Sequence, residues 1–196
     1  MNSITYGLRL PGSALALPRL STKMEPLDVV IGFGSNLGNR RGHLEAAAER
    51  VAEIARILRA SPVYETRPVG GPPQGDYLNL ALRVEADLAP RALLDTLLAI
   101  EHALGRRRLE RWHPRTIDLD VLWIRDRVVD EPGLSVPHPR LVERAFALVP
   151  LLDVAPDAQD PRTGARYATL AERVDREGIR LLNDPLRLPG ALSSSG

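Results

Sequence analysis

The 196-residue chain has no cysteine. Disulfides, thiolate nucleophiles and cysteine-ligated zinc are therefore excluded. Lysine is nearly absent too: Lys23 stands alone among 26 basic residues, and the others are arginine. A phosphate loop of the GxxxxGK[ST] kind needs a lysine in that setting, and Lys23 is not in one. A genome rich in arginine codons explains the bias without any functional demand, so arginine position matters more than arginine number. Aromatic residues make up only 4% of the chain. No K/R-G-F/Y-G/A-F-V run is present, which argues against an RNA-binding sheet surface. No stretch reaches the roughly 18 apolar residues of a membrane span. The formal net charge of +1 is too small to imply a nucleic-acid surface.

What is present is ordinary for a globular protein: 44% hydrophobic and 26% charged residues, at a length that suits one domain with tails. A cytoplasmic location is the expectation that a cysteine-free composition permits. Residues 1–27 carry prolines at 11, 18 and 26 and no sustained period. They read as a flexible extension, with Met24 as an alternative start; Ala14 to Leu17 is too short for a signal-peptide core. The end, LPGALSSSG, reads as a disordered tail.

Between the tails the periodicity is clear. Asp28 to Phe33 reads as a strand. Asn39 is a candidate N-cap, followed by Leu44, Ala48, Val51, Ile54 and Leu58 at helical spacing. Pro62 to Thr66 starts another strand, and the loop RPVGGPPQGD leads to a strand over Tyr77 to Val84. Pro90 opens a helix with Leu93, Leu97, Ile100 and Leu104 on one stripe, and Gly105 fits just past its end. Residues 117–124 read as a strand that turns at Arg125-Asp126 into a short partner near Val128-Val129. A last helix is expected from about Pro139, and another between Tyr167 and Arg176. The order β-α-β-β-α-β plus an appendage predicts an α+β, ferredoxin-like plait with helices packed on an antiparallel sheet and a C-terminal hairpin and helical appendage. That fold hosts many functions and settles no chemistry.

Residues 32–40 read GFGSNLGNR. The spacing G-x-G-x-x-x-G misses the dinucleotide fingerprint by one residue, and the chain does not continue as a parallel βαβ sheet. The simpler reading is that Gly32 and Gly34 permit close approach at a strand edge and shape a pocket wall.

A stronger signal is GRRRLERWHPRTIDLD, residues 105–120. Alternation puts Asp118 and Asp120 on one strand face, about 6.5 Å apart along the chain. Ile117, Leu119 and Val121 take the opposite, buried face. Two carboxylates at the mouth of a strand are costly without positive charge, and Mg²⁺ takes one or two carboxylates plus substrate phosphates. The preceding loop carries Arg106, Arg107, Arg108, Arg111 and Arg115. Guanidinium groups suit phosphate oxygens. Together they point to a polyphosphate–Mg²⁺ site; a solvated edge strand is the alternative reading of D-x-D.

Four segments, IGFGSNLGN, DYLN (76–79), RWHPRTIDLDVL (111–122) and VPHPRLVERAFALVPL (136–151), resemble the 6-hydroxymethyl-7,8-dihydropterin pyrophosphokinases of folate biosynthesis. The resemblance covers about residues 28–180 and implies a pyrophosphokinase domain over 28–183, with 184–196 as the tail. It implies transfer of pyrophosphate from ATP to the pterin hydroxymethyl group, with release of AMP. Asp118 and Asp120 match the family's ligands for two Mg²⁺ ions. Arg106 and Arg115 match arginines on the transferring phosphates, and Arg107 or Arg108 shares that work. Glu101, Arg108, His138 and Arg144 match the ATP side. Thr66, Tyr77 and Asn79 match the pterin pocket, Phe146 an aromatic stacked on the ring, and Trp112 one in the mobile loop over the substrates. The implied partners are small molecules, with no nucleic acid or membrane, acting on a monomer.

There are departures from the family pattern. Arg67 and Val69 stand where proline and leucine are common, and His113 replaces a common glycine. Two other readings remain open at the level of sequence: a ferredoxin-like RNA-binding module, and a catalytically inactive relative.

Overall fold

The computed structural model describes residues 25–106, 113–183, 186, 187 and 189. Residues 1–24 of the expected extension and most of the expected tail lie outside these residues, while Leu27, expected at the end of the extension, opens the first strand and is buried. The main sheet has the strand order β5-β1-β4-β3-β8. It is built from β1 (Leu27–Ser35), β3 (Val63–Thr66), β4 (Tyr77–Ala86), β5 (Asp118–Ile124) and β8 (Ile179–Leu182), with β2 (Arg56–Ala60) also paired to β4. Neighbouring strands are antiparallel throughout. The four strands foreseen at 28–33, 62–66, 77–84 and 117–124 are those of the plait.

Strand alternation sorts the side chains into two cores. Leu27, Val29, Ile31 and Phe33 of β1 join Leu78, Leu80, Leu82 and Val84 of β4 under α1 (Arg40–Ile54) and α2 (Pro90–Ala103). Val30, Ala81, Leu122 and Trp123 face the other way, against α3 (Ala145–Val154) and α4 (Tyr167–Ala171). The appendage thus covers part of the second face, and the uncovered part becomes a cleft. Among the described residues no helix is long and apolar enough to cross a membrane.

Local chemistry fixes the helix ends. The Asn39 side chain accepts the Gly42 N–H at 3.1 Å, capping α1. Pro90 opens α2 where a missing N–H costs nothing, and Gly105 follows it at φ +83°.

Three local expectations change. Leu58 is not helical: α1 stops at Ile54, Ala55 is extended, and Arg56–Ala60 pairs with β4. Tertiary pairing overrides the helical spacing there. The strand near Val128-Val129 does not join β5. Instead β6 (Val129–Glu131) pairs with β7 (Leu134–Val136) around Gly133, at φ +77°. The helix expected from Pro139 begins as a 3-10 turn at Leu141–Glu143; extended Arg144 separates it from α3. Periodicity also missed β8. Beyond it, Leu186 packs in the first core and the Arg187 N–H donates to Glu45 at 3.0 Å.

Candidate active site

The cleft floor is made by the two strand glycines. Gly34 lies across from Asp118 on β5 and from Asn79 on β4, and Gly32 lies across from Asp120 and Ala81. A Cβ on Gly34 would meet Asn79 Oδ1 at 3.2 Å, and one on Gly32 would meet Leu122 Cδ1 at 2.9 Å. The glycines therefore give up their own side chains so that their neighbours on both sides can fill the floor.

Asp118 and Asp120 share this face. Asp118 is held by Arg106 at 2.6 Å and by Arg115 at 2.7 Å. Arg106 is in turn paired with Glu101. Asp120 is pushed up to about 7, first by burial and then by the like charges of Asp118 and Glu101; Arg144 and Arg106 oppose the shift. A carboxylate made this costly beside a second one is a natural place for a hard cation. Among the described residues no group of three or more His, Cys, Asp or Glu side chains forms a metal cage. Two carboxylates opening on a cleft fit Mg²⁺, which completes its shell with water and substrate phosphates.

The residues after the glycines hold the site's loops. Ser35 Oγ donates to the Thr116 carbonyl at 2.5 Å. Asn36 Oδ1 accepts the Arg115 N–H at 2.7 Å, and the Asn36 N–H donates to the Arg115 carbonyl at 3.1 Å. Asn36 Nδ2 reaches Gln74 Oε1 at 2.8 Å and the Gly75 carbonyl at 3.2 Å. One buried amide thus ties the arginine segment to the 67–76 loop. Sequence reasoning named neither Ser35 nor Asn36. Two polar residues ending an apolar strand were the available signal.

At the other end of the cleft, Asn79 Nδ2 donates to Thr66 Oγ1 at 2.7 Å. That bond fixes the amide's rotation and leaves Asn79 Oδ1 facing Gly34. Tyr77 and Phe146 flank the space, and Arg144 lies 5.6 Å over the Phe146 ring. Burial raises the Tyr77 hydroxyl above its usual range.

Thr66, Tyr77, Asn79, Arg115, Asp118, Asp120, His138, Arg144 and Phe146 all line this one cavity. Glu101 does not line it. Its carboxylate is 3% exposed and accepts the Leu119 N–H at 2.7 Å, so it sits behind the mouth of β5. Burial raises its affinity for a proton; the Leu119 N–H and Arg106 counter that. Arg106 reaches the site through Asp118. Arg107, Arg108, Arg111 and Trp112 lie outside the described residues. Arg67 and Val69 border the cavity.

A family model for 7,8-dihydro-6-hydroxymethylpterin-pyrophosphokinase (HPPK) matches residues 30–156. A Synechocystis protein named 2-amino-4-hydroxy-6-hydroxymethyldihydropteridine pyrophosphokinase is 42% identical over 165 residues, covering 83% of this chain and 84% of its own length. A Pseudomonas aeruginosa protein of the same name is 41% identical over 166 residues, covering 83% of this chain and 98% of its own. Among solved structures, wild-type Plasmodium falciparum HPPK-DHPS with pterin and p-hydroxybenzoate matches at a TM-score of 0.61 and 17% identity. That match covers 78% of this chain and 42% of the longer Plasmodium one, so it speaks for the fold alone. By the family model and by relatives above 40% identity across most of both lengths, the chain belongs to the 7,8-dihydro-6-hydroxymethylpterin-pyrophosphokinase family.

Proposed function

We propose that the protein transfers pyrophosphate from ATP to the hydroxymethyl group of 6-hydroxymethyl-7,8-dihydropterin, giving the pterin diphosphate and AMP in folate biosynthesis. The observation that carries this reading is the acid pair Asp118/Asp120, set over a glycine floor with arginines on one side and a polar, aromatic-flanked pocket on the other. The bond between the β-phosphorus and the oxygen bridging it to the α-phosphorus breaks, and that oxygen stays with the α-phosphate of AMP. The pterin hydroxyl oxygen bonds to the β-phosphorus and loses its proton, and AMP leaves.

Each end of the cleft has its own task. Thr66 and Asn79 present a fixed hydrogen-bonding edge to the pterin, while Tyr77 and Phe146 take its two faces. Asp118 and Asp120 would hold the Mg²⁺ ions, which neutralise triphosphate charge and help align it when bound. Arg115 and Arg106 now hold Asp118, within reach of any phosphate placed there. Exchanging that carboxylate for phosphate oxygens would move guanidinium charge onto the transferring group, where it counts most. Arg108 and Trp112 join the reading as a phosphate ligand and part of a cover over the substrates. Glu101 supports the site from behind. The protein acts as a cytoplasmic monomer on small molecules and binds no nucleic acid.

The test is AMP release from ATP in the presence of hydroxymethyl-dihydropterin, run beside filter binding to RNA. Pterin-dependent AMP supports the reading. RNA retention without AMP release would favour a binding module, and neither signal would favour an inactive relative.

A further inference from the structure

The cavity has a second cationic wall that the acid pair does not neutralise directly. Arg140 and Arg144 both line it, on either side of the Leu141–Glu143 turn, with His138 between them and β5. The backbone of this wall is pinned. The His138 N–H donates to the Leu122 carbonyl at 2.8 Å, and Arg162 donates to the Pro137 and Val136 carbonyls at 3.3 and 3.4 Å. His138 Nδ1 accepts the Arg140 N–H at 3.2 Å, which leaves Nε2 as the ring's donor in the neutral form. Burial, and then the charges of Arg144 and Arg140, lower the ring's affinity for a proton.

Every group on this wall is thus a donor. Among the described residues the Arg144 guanidinium makes no ion pair; it rests over Phe146. Arg140 has one carboxylate partner, Glu143, at 3.2 Å, and both side chains are about half exposed. A pair so placed contributes little and is readily exchanged. Two guanidinium groups on one wall repel each other, and an anion between them removes that repulsion. Burial and the nearby Arg140 lower the basicity of Arg144, as that repulsion requires. A phosphate offers both arginines the geometry they lack here.

We infer that Arg140 is a further nucleotide-binding residue, one that leaves Glu143 and closes with Arg144 on a phosphate of the ATP chain opposite the Asp118/Asp120 pair. The inference rests on the proposed ATP site. It is read from binding, so its outcome is separable from that of the turnover assay.

The test is calorimetric titration of wild type, Arg140→Gln and Glu143→Gln with three probes: adenosine, a non-hydrolysable ATP analogue with Mg²⁺, and hydroxymethyl-dihydropterin. Arg140→Gln is expected to weaken the analogue about tenfold, the weight of one charge-assisted hydrogen bond, and to leave adenosine and pterin within about twofold. Glu143→Gln frees the guanidinium and is expected to tighten the analogue by about two- to threefold. Analogue binding by Arg140→Gln within twofold of wild type would overturn the inference. So would Glu143→Gln weakening the analogue as much as Arg140→Gln does, because the pair would then be a structural clip. An equal loss of adenosine or pterin in Arg140→Gln would likewise overturn it, as damage to the fold. Failure of the wild type to release AMP while still binding the analogue would count against the proposed reaction and leave Arg140's role decided by these titrations.

Discussion

Replacing Asp120 with asparagine is expected to abolish turnover and at the same time strengthen the metal-free fold. The carboxyl lies deep in the cleft beside Asp118, and its proton affinity is raised from 3.8 to about 7. For an acid shifted upward, the folded state binds more protons than the unfolded state between those two values. Stability is therefore lost as pH rises through that window, and the loss is complete above it. At about 1.4 kcal/mol per pH unit, the window sets a ceiling of about 4 kcal/mol. Water reaches the cleft and Arg106 and Arg144 relax toward the charge, so roughly 1–3 kcal/mol is expected. Asparagine keeps the shape and carries no charge, so it escapes the penalty. Urea unfolding in EDTA should show Asp120→Asn more stable than wild type at about pH 8, with a clearly smaller gap at about pH 5. Adding MgATP should reverse the order, because only the wild type gains strongly from ligand linkage. A variant equally or less stable at both pH values would refute the assignment of Asp120 as a carboxylate strained by burial and by its like-charged neighbours.

Other perturbations separate the parts of the site. Asp120→Ala should lose at least about 10²-fold in turnover, and near-normal rates in excess Mg²⁺ would contradict its role. Arg115→Ala should lower kcat much more than it weakens pterin binding; a calorimetric titration showing the reverse would contradict a role on the phosphates. Gly34→Ala sets a Cβ 3.2 Å from Asn79 Oδ1, so pterin affinity should fall while the unfolding midpoint shifts little. Leu97 is fully buried under the sheet, and Leu97→Ala should cost about 2–5 kcal/mol in urea unfolding without changing KM in the protein that remains folded.

The plait was legible because its helices and strands carry long, strict periods. Leu93, Leu97 and Ile100 could only be one face of a helix, and the alternation through Asp118, Leu119, Asp120 and Val121 could only be a strand. Segments whose partners decide their state were not legible. Leu58 continues a helical stripe, yet β4 offers Arg56–Ala60 a ladder, and local spacing cannot report that. The strand at 129–131 pairs with 134–136 across Gly133 rather than with β5, a choice of partner that local spacing does not report. In the site, the acid pair could be read from alternation alone. The contacts of Glu101 could not, because its position behind β5 depends on how α2 packs. Asn36 was missed for the same reason: its role lies in two loops distant in sequence, joined only in the fold.

The most direct test of the central claim is product analysis with purified protein, ATP, hydroxymethyl-dihydropterin and Mg²⁺, with EDTA and no-pterin controls. The account predicts AMP and pterin diphosphate in equal amounts, both vanishing when either pterin or Mg²⁺ is withheld. ADP as the nucleotide product, or AMP formed without pterin, would contradict it.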